Sequence, residues 1–227
     1  MGSIDTTIRD ASRPVEVENL VVRFDGRTVL DGFSLSLDAG EKVALTGRSG
    51  GGKSTLLKCL MGFVPKFQGG IRIFGEPLGP ATVWRLRRTL AWVPQEPDLG
   101  MGTAREALTR PFAWRVNRAQ AAAMDRAPAL MERLLLDHAL LDKPVSTLSG
   151  GEKQRIAVVG ALLLDRPLLL LDEPASALDP ESRRALAALL GEQEHRAMLC
   201  VTHDADTAPF CARCIAVTNG GEALNHG

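Results

Sequence analysis

The run Val15 to Phe24 alternates apolar and polar residues and is rich in β-branched types, and Thr28 to Leu37 reads the same way. Both predict half-buried strands. Asp38-Ala39-Gly40-Glu41 supplies a turn after the second. Lys42 to Thr46 is short and apolar, as a buried strand is, and runs into a glycine-rich stretch after which Ser54 to Met61 takes helical spacing. Gly69 to Phe74 and Leu90 to Val93 are two further strands. From Thr103 to about Asp142 the pattern changes: Ala, Leu, Arg and Met dominate at helical spacing, β-branched residues are scarce, and Pro111 and Pro128 divide the stretch into several helices. Gly151 to Leu164 predicts a helix and Leu168 to Leu171 a buried strand. Pro180 to His195 predicts a helix capped by Asp179 with Pro180 at its first position. Ala197 to Thr202 (strand), Ala205 to Cys211 (short helix) and Cys214 to Thr218 (strand) complete the series. Strands alternating with helices predict an α/β domain whose largely parallel sheet is covered on both faces. Residues 1–14, polar and closed by Pro14, are expected to form a loose arm.

Composition narrows the class. A chain of 227 residues suits one large domain or a core with a subdomain, and 45% hydrophobic residues is ordinary for a soluble globular protein. Twenty-seven basic residues balance 27 acidic ones, which removes any sequence-wide attraction for nucleic acid or an anionic membrane. The local cluster Arg85, Arg87 and Arg88 reads as a solvated helix face. The greasiest stretch, Val158 to Leu171, is interrupted by Asp165, Arg166 and Pro167, too early to span a bilayer. The N-terminus lacks the basic start and apolar run of a signal peptide, so a cytoplasmic protein is expected. Gly2 and Thr6 match a myristoylation pattern short enough to recur by chance. Cys59, Cys200, Cys211 and Cys214 read as small buried apolar residues: the Cys211–Cys214 C-x-x-C has no second pair to complete a zinc site.

Two motifs carry the chemistry. Gly47-Arg48-Ser49-Gly50-Gly51-Gly52-Lys53-Ser54 fits G-x-x-x-x-G-K-[ST] between a strand and a helix. A triphosphate needs backbone N–H groups at close range, and side chains on Gly50, Gly51 and Gly52 would obstruct the approach. The helix that follows, with Thr55 in its first turn, presents its positive end. Lys53 then reaches the β- and γ-phosphates and Ser54 ligates Mg²⁺. Leu168-Leu169-Leu170-Leu171-Asp172-Glu173 reads as a buried strand delivering Asp172 to the metal beside Ser54. Glu173, one residue beyond, is positioned to orient and deprotonate a water. Standing alone, this hexapeptide is equally a strand with a charged end.

Some hundred residues after the glycine loop, Leu148-Ser149-Gly150-Gly151-Glu152 resembles the signature of ATP-binding cassette (ABC) proteins. The resemblance runs from about Val15 to the last strand. It implies a P-loop NTPase (RecA-like) core with a β-rich N-terminal edge, forming one domain over 15–227, with a helical subdomain inserted at about 96–150. It also implies a homodimer that forms with ATP and Mg²⁺, in which Ser149, Gly150 and Gly151 of one chain touch the γ-phosphate held by the other. A Ser hydroxyl, glycine N–H groups and a helix start are consistent with such a second anion site. By the same resemblance Gln95, in Val93-Pro94-Gln95, looks like the Q-loop residue at the metal and water. His203, in Val201-Thr202-His203, looks like the switch histidine, and Ser176-Ala177-Leu178-Asp179 like the D-loop that crosses the interface. Phe24, 23 residues before Gly47, stands where the family places an adenine-stacking aromatic, although a core position is a competing reading.

The function so implied is an ATPase subunit that drives solute transport through a separate integral membrane subunit docked near the Q-loop and the helical subdomain, with the chain lying on the cytoplasmic face of the membrane and binding no nucleic acid. Glu173, His203 and Gln95 would be its catalytic residues. Gly102 to Leu108, Pro111 to Val116 and Thr202 to Asp206 resemble small bacterial cassettes of iron export. An importer of metal, amino acid or another small solute is the alternative, and a soluble non-transport cassette is a third. Against that third reading, DNA-maintenance relatives insert long coiled coils and translation factors carry two cassettes.

Overall fold

The computed structural model describes residues 13–203, 208–217 and 225–226. Two sheets organise it. Strands β1 (Val15–Phe24), β2 (Arg27–Leu37), β4 (Gln68–Ile73) and β5 (Glu76–Pro77) form an antiparallel sheet in the order β2-β1-β4-β5. The other sheet runs β10-β9-β3-β8-β7-β6, from β3 (Lys42–Thr46), β6 (Leu90–Val93), β7 (Leu168–Asp172), β8 (Ala197–Val201), β9 (Arg213–Ala216) and β10 (Asn225–His226). Its pairings are parallel except for β10 against β9. This is the largely parallel sheet expected, and the expected β-rich N-terminal edge is the separate antiparallel sheet. β1 and β2 join through Asp25 and Gly26, at φ 48° and 79°, a tight turn that returns the chain antiparallel to itself.

The parallel strands separate two apolar cores. Leu168 and Leu170 face a core built with α1 (Lys53–Leu60) and the antiparallel sheet. Leu169 and Leu171 face a core built with α3 (Ala104–Ala113), α4 (Ala127–Arg133), α5 (Gly150–Leu163) and α6 (Pro180–Gly191). Burial on both faces is why β7 reads as an unbroken leucine run rather than an alternation. Each fully buried leucine contributes about 1.5–3 kcal/mol.

Between β6 and α5 the chain is helical, but much of it is 3₁₀: 118–126, 138–142 and 145–147. Pro111 lies inside α3, which continues only two residues past it, and Pro128 sits in the first turn of α4, where its missing N–H costs nothing. α6 stops at Gly191, four residues short of the expected His195. The short helix expected at 205–211 lies partly outside the described residues, and 208–211 form a turn instead. The loose arm expected at 1–14, with Gly2 and Thr6, lies outside the described residues up to position 12, as does Thr218 at the end of the last strand.

α2 (Val83–Leu86) and the 3₁₀ turn 87–89 carry the arginine cluster, of which Arg85 and Arg88 are exposed as expected and Arg87 is half-buried. Arg85 pairs with Glu76. Arg87 donates from Nε to the Met61 carbonyl at 2.8 Å and stacks its guanidinium over Phe63 (4.5 Å) and Trp84 (4.8 Å). The cluster also forms one wall of a groove of about 810 Å³, whose other wall includes Arg110 and Trp114 from the α3 side. Among the described residues no helix is long and apolar enough to cross a membrane.

Candidate active site

The loop between β3 and α1 is shaped by its glycines. Gly47 has φ 138°, and a Cβ there would stand 2.6 Å from the Val217 carbonyl oxygen. Gly52 has φ 95°, and its Cβ would meet Leu30 Cδ2 at 2.7 Å and the Val29 oxygen at 2.9 Å. No L side chain satisfies both conditions. The Gly51 amide donates to the Arg48 carbonyl at 3.0 Å, drawing the loop around Lys53. Lys53 is 5% exposed, and its Nζ donates to the carbonyls of Gly47 (2.7 Å) and Arg48 (3.0 Å), holding a positive charge at the centre of the loop.

Ser54 Oγ donates to Asp172 Oδ1 at 3.0 Å, joining the first turn of α1 to the end of β7. Burial raises the Asp172 carboxyl above its ordinary value against the opposing Ser54 hydrogen bond, and the neighbouring Glu173 raises it further. A buried carboxylate beside a hydroxyl, with no cation among the described residues in hydrogen-bond contact, is a donor set suited to a hard divalent ion.

Glu173 follows at φ 49°, unusual for a residue with a Cβ. Its amide donates to Val201 on the neighbouring strand at 3.0 Å. That bend aims the carboxylate between two partners. Gln95 Nε2 donates to Oε2 at 2.9 Å, and His203 Nε2 lies 2.9 Å from Oε1. Gln95, Glu173 and His203, with loop residues 49–55, line one cleft of about 190 Å³. A phosphate chain on the loop would meet N–H donors and a lysine on one side, and a carboxylate with a histidine on the other.

The remaining candidates lie outside this cleft. Ser149 caps α5 in a reciprocal box with Glu152: its Oγ accepts from the Glu152 amide at 3.2 Å, and Glu152 Oε2 accepts from the Ser149 amide at 2.7 Å. The bond to the Ser149 amide holds the Glu152 carboxyl below its ordinary value. Ser149 and Gly150 are exposed, and Gly151 sits so close to the Ala177 carbonyl that a Cβ would approach it to 3.0 Å. The signature segment therefore packs on Ala177 and Leu178. Asp179 caps α6, accepting from Glu181 and Ser182 amides at 3.0 Å each. Phe24 is 47% exposed at the tip of the β1–β2 hairpin, which excludes the core position, and β2 of that hairpin supplies the Val29 and Leu30 contacts to Gly52.

Sequence reasoning passed over Gln154. It is 1% exposed on α5, three residues past Gly151, and its Nε2 donates to the Pro94 carbonyl at 3.3 Å, next to Gln95. A polar side chain in the buried stripe of α5 was the available signal.

Comparison with known proteins agrees with this geometry. The family model described as ABC transporter matches residues 30–176. The chain belongs to the ABC transporter family. The cassette is 38% identical over 210 residues to the aliphatic sulfonates import ATP-binding protein SsuB 1 of Pseudomonas fluorescens, covering 91% of this chain and 74% of the relative. It is 30% identical to an energy-coupling factor transporter ATP-binding protein of Leuconostoc mesenteroides, covering 94% and 80%. A solved ATP-binding subunit of an ABC transporter superposes with a TM-score of 0.79 at 33% identity, covering 90% of this chain and 86% of that one. A dimeric bacterial ABC transporter cassette does so at 0.78 and 25%, covering 94% and 100%. The cassette is thus an ATP-hydrolysing ATP-binding subunit of an ABC transporter.

Proposed function

We propose that two copies of this cassette close head to tail on two ATP molecules, hydrolyse them and reopen, and that this cycle drives a separate integral membrane subunit. The observation that carries the reading is the double contact of Glu173, with Gln95 on one oxygen and His203 on the other, at the mouth of the glycine loop. In this reading the amides of 49–52 and Lys53 hold the phosphates, and Phe24 stacks on the adenine. Ser54, Asp172 and Gln95 would hold Mg²⁺, which supplies charge neutralisation of the phosphates when bound. Glu173 takes the proton of the attacking water and His203 orients the γ-phosphate end. Ser149, Gly150 and Gly151 complete the partner's site, and Asp179 lies at the junction.

The groove between Trp84 and Trp114, which are 73% and 65% exposed, supports docking of a segment of the membrane subunit there, and so a peripheral position on the cytoplasmic face. For cargo, Gly102 to Leu108 and Pro111 to Val116 support metal export, while the sulfonate-import relative supports uptake.

The test is a pull-down from detergent-solubilised native membranes with the Glu173→Gln chain, ATP and Mg²⁺. Recovery of an integral membrane protein is expected, followed by transport of metal ions and sulfonates in vesicles containing both subunits. Recovery of soluble proteins alone overturns the transport reading.

A further inference from the structure

One guanidinium joins the signature segment to both of its neighbours. Arg155 lies on α5, one turn after Gly151, and is half-buried. Its Nε donates to the Gly151 carbonyl at 3.2 Å. Its Nη1 donates to the carbonyls of Leu134 (3.0 Å) and Leu135 (3.2 Å) and to Ser182 Oγ on α6 (3.0 Å). Leu134 caps the end of α4 and Leu135 follows at φ 55°, so Arg155 takes carbonyls at a helix end, which the helix itself leaves without donors. A positive charge is also favoured at that end. Ser182 is 3% exposed, and its amide donates to Asp179 Oδ1 at 3.0 Å. A path of hydrogen bonds thus runs from Gly151 through Arg155 and Ser182 to Asp179, alongside the packing of Gly151 on Ala177. Lysine could not take this place: it has one nitrogen, whereas the planar fork serves Gly151 from one nitrogen and α4 and α6 from another. None of Gly151, Arg155, Ser182 and Asp179 lines the phosphate cleft of the chain itself.

We propose that Arg155 is a positioning residue for the ATP site of the partner chain: it fixes the signature segment against the Asp179 turn and the end of α4, so that all three meet the facing chain in one arrangement. The role rests on the head-to-tail closure proposed above, in which each signature completes the other chain's site. Loss of Arg155 then harms the partner's site and leaves the chain's own glycine loop as it was. A displacement of Ser149 and the glycine amides by about an ångström costs on the order of a hundredfold in turnover.

Mixed dimers separate the two directions of action. All chains carry Glu173→Gln, so that closed dimers persist, and two affinity tags select pairs of unlike chains. In the first pair Lys53→Ala stands in one chain and Arg155→Met in the other, so the one working loop faces an unaltered signature. In the second pair both substitutions stand in one chain, so the working loop, now in the other chain, faces the altered signature. Release of radiolabelled ATP from each captured pair is followed after dilution. The first pair should release ATP at the rate of a pair carrying Lys53→Ala alone, and the second at least about tenfold faster. Arg155→Met by itself should bind a fluorescent nucleotide analogue within about twofold of the parent affinity, since its own loop is untouched. If that variant loses the nucleotide through misfolding, Ser182→Ala, which cuts only the tie to α6, replaces it in both pairs with the same order expected. The reverse order, equal rates in the two pairs, or loss of nucleotide binding by both variants each overturns the proposal. Ser149→Arg in place of Arg155→Met is the control. If its two pairs are also equal, the head-to-tail closure is wrong and the role of Arg155 falls with it; if they differ while the Arg155 pairs do not, only the role of Arg155 falls.

Discussion

Glu173 Oε1 and His203 Nε2 stand 2.9 Å apart although the two residues are 30 positions apart in the chain. Their strands are neighbours, β7 beside β8, so each leaves the sheet at the same edge. A carboxylate held this way, with its other oxygen taken by Gln95, is restricted to one orientation over the loop. Glu173→Gln keeps the shape and removes the base. Phosphate release should fall at least about 100-fold, while ATP binding persists and light scattering reports a stable dimer. Rapid turnover by this variant would remove Glu173 from the mechanism.

Gly52→Ala tests the loop without touching a polar group. Its Cβ would lie 2.7 Å from Leu30 Cδ2 and 2.9 Å from a backbone oxygen, at a φ of 95°. ATP affinity, measured with a fluorescent nucleotide analogue, should drop at least about tenfold, because the amides after Gly52 turn away from the phosphates. Unchanged affinity would contradict the close fit of β2 against the loop.

Gln154 links the signature helix to the Q-loop through a single hydrogen bond to Pro94. Gln154→Leu removes it at similar volume and leaves the Pro94 carbonyl without that donor. Turnover should fall several-fold with KM for ATP nearly unchanged, the split expected when positioning rather than binding is lost. A rise in KM alone would argue that Gln154 only packs α5.

Thr103 caps α3 in a reciprocal box with Glu106, its Oγ1 accepting from the Glu106 amide at 3.2 Å. Thr103→Ala should cost about 1 kcal/mol in denaturant unfolding and leave ATP binding unchanged. No change in the midpoint would mean that the Glu106 side chain alone satisfies the helix start.

Asp179 provides the pH prediction. Hydrogen bonds from Ser182, then from the Glu181 amide, lower its carboxyl to about 2 from an ordinary 3.8. A carboxyl depressed on folding adds stability that is fully present above its unfolded value and is lost as pH falls from about 3.8 towards about 2. The melting-temperature difference between parent and Asp179→Asn should therefore shrink across that window and stay flat above about pH 5. A difference that grows on acidification would contradict the cap.

Features that depend on near neighbours in the chain were legible in the sequence. The cap at Asp179 uses amides two and three residues ahead, and the glycine loop and its helix are consecutive. β7 was legible because leucines buried on both faces leave no polar position to hide it. The antiparallel partition of the N-terminal strands was open to reading at Asp25-Gly26, a strong hairpin signal. The end of α6 was less so, since Glu192 to His195 continues with ordinary helix formers.

What the sequence by itself determined is the set of reactive groups and the local geometry that presents them: a loop that only glycines can trace, a lysine at its end, and carboxylates at a strand terminus. What the tertiary structure alone decided is which of these face one another. Gln95, Glu173 and His203 follow three different strands, and the order β3-β8-β7-β6 brings those strand ends to one edge. The same packing directed Arg87 onto Phe63 and Trp84 and left Phe24 exposed at a hairpin tip. Capping and backbone strain act over a few residues, whereas the facing of side chains depends on strand order and register, which are set by burying apolar surface over the whole molecule.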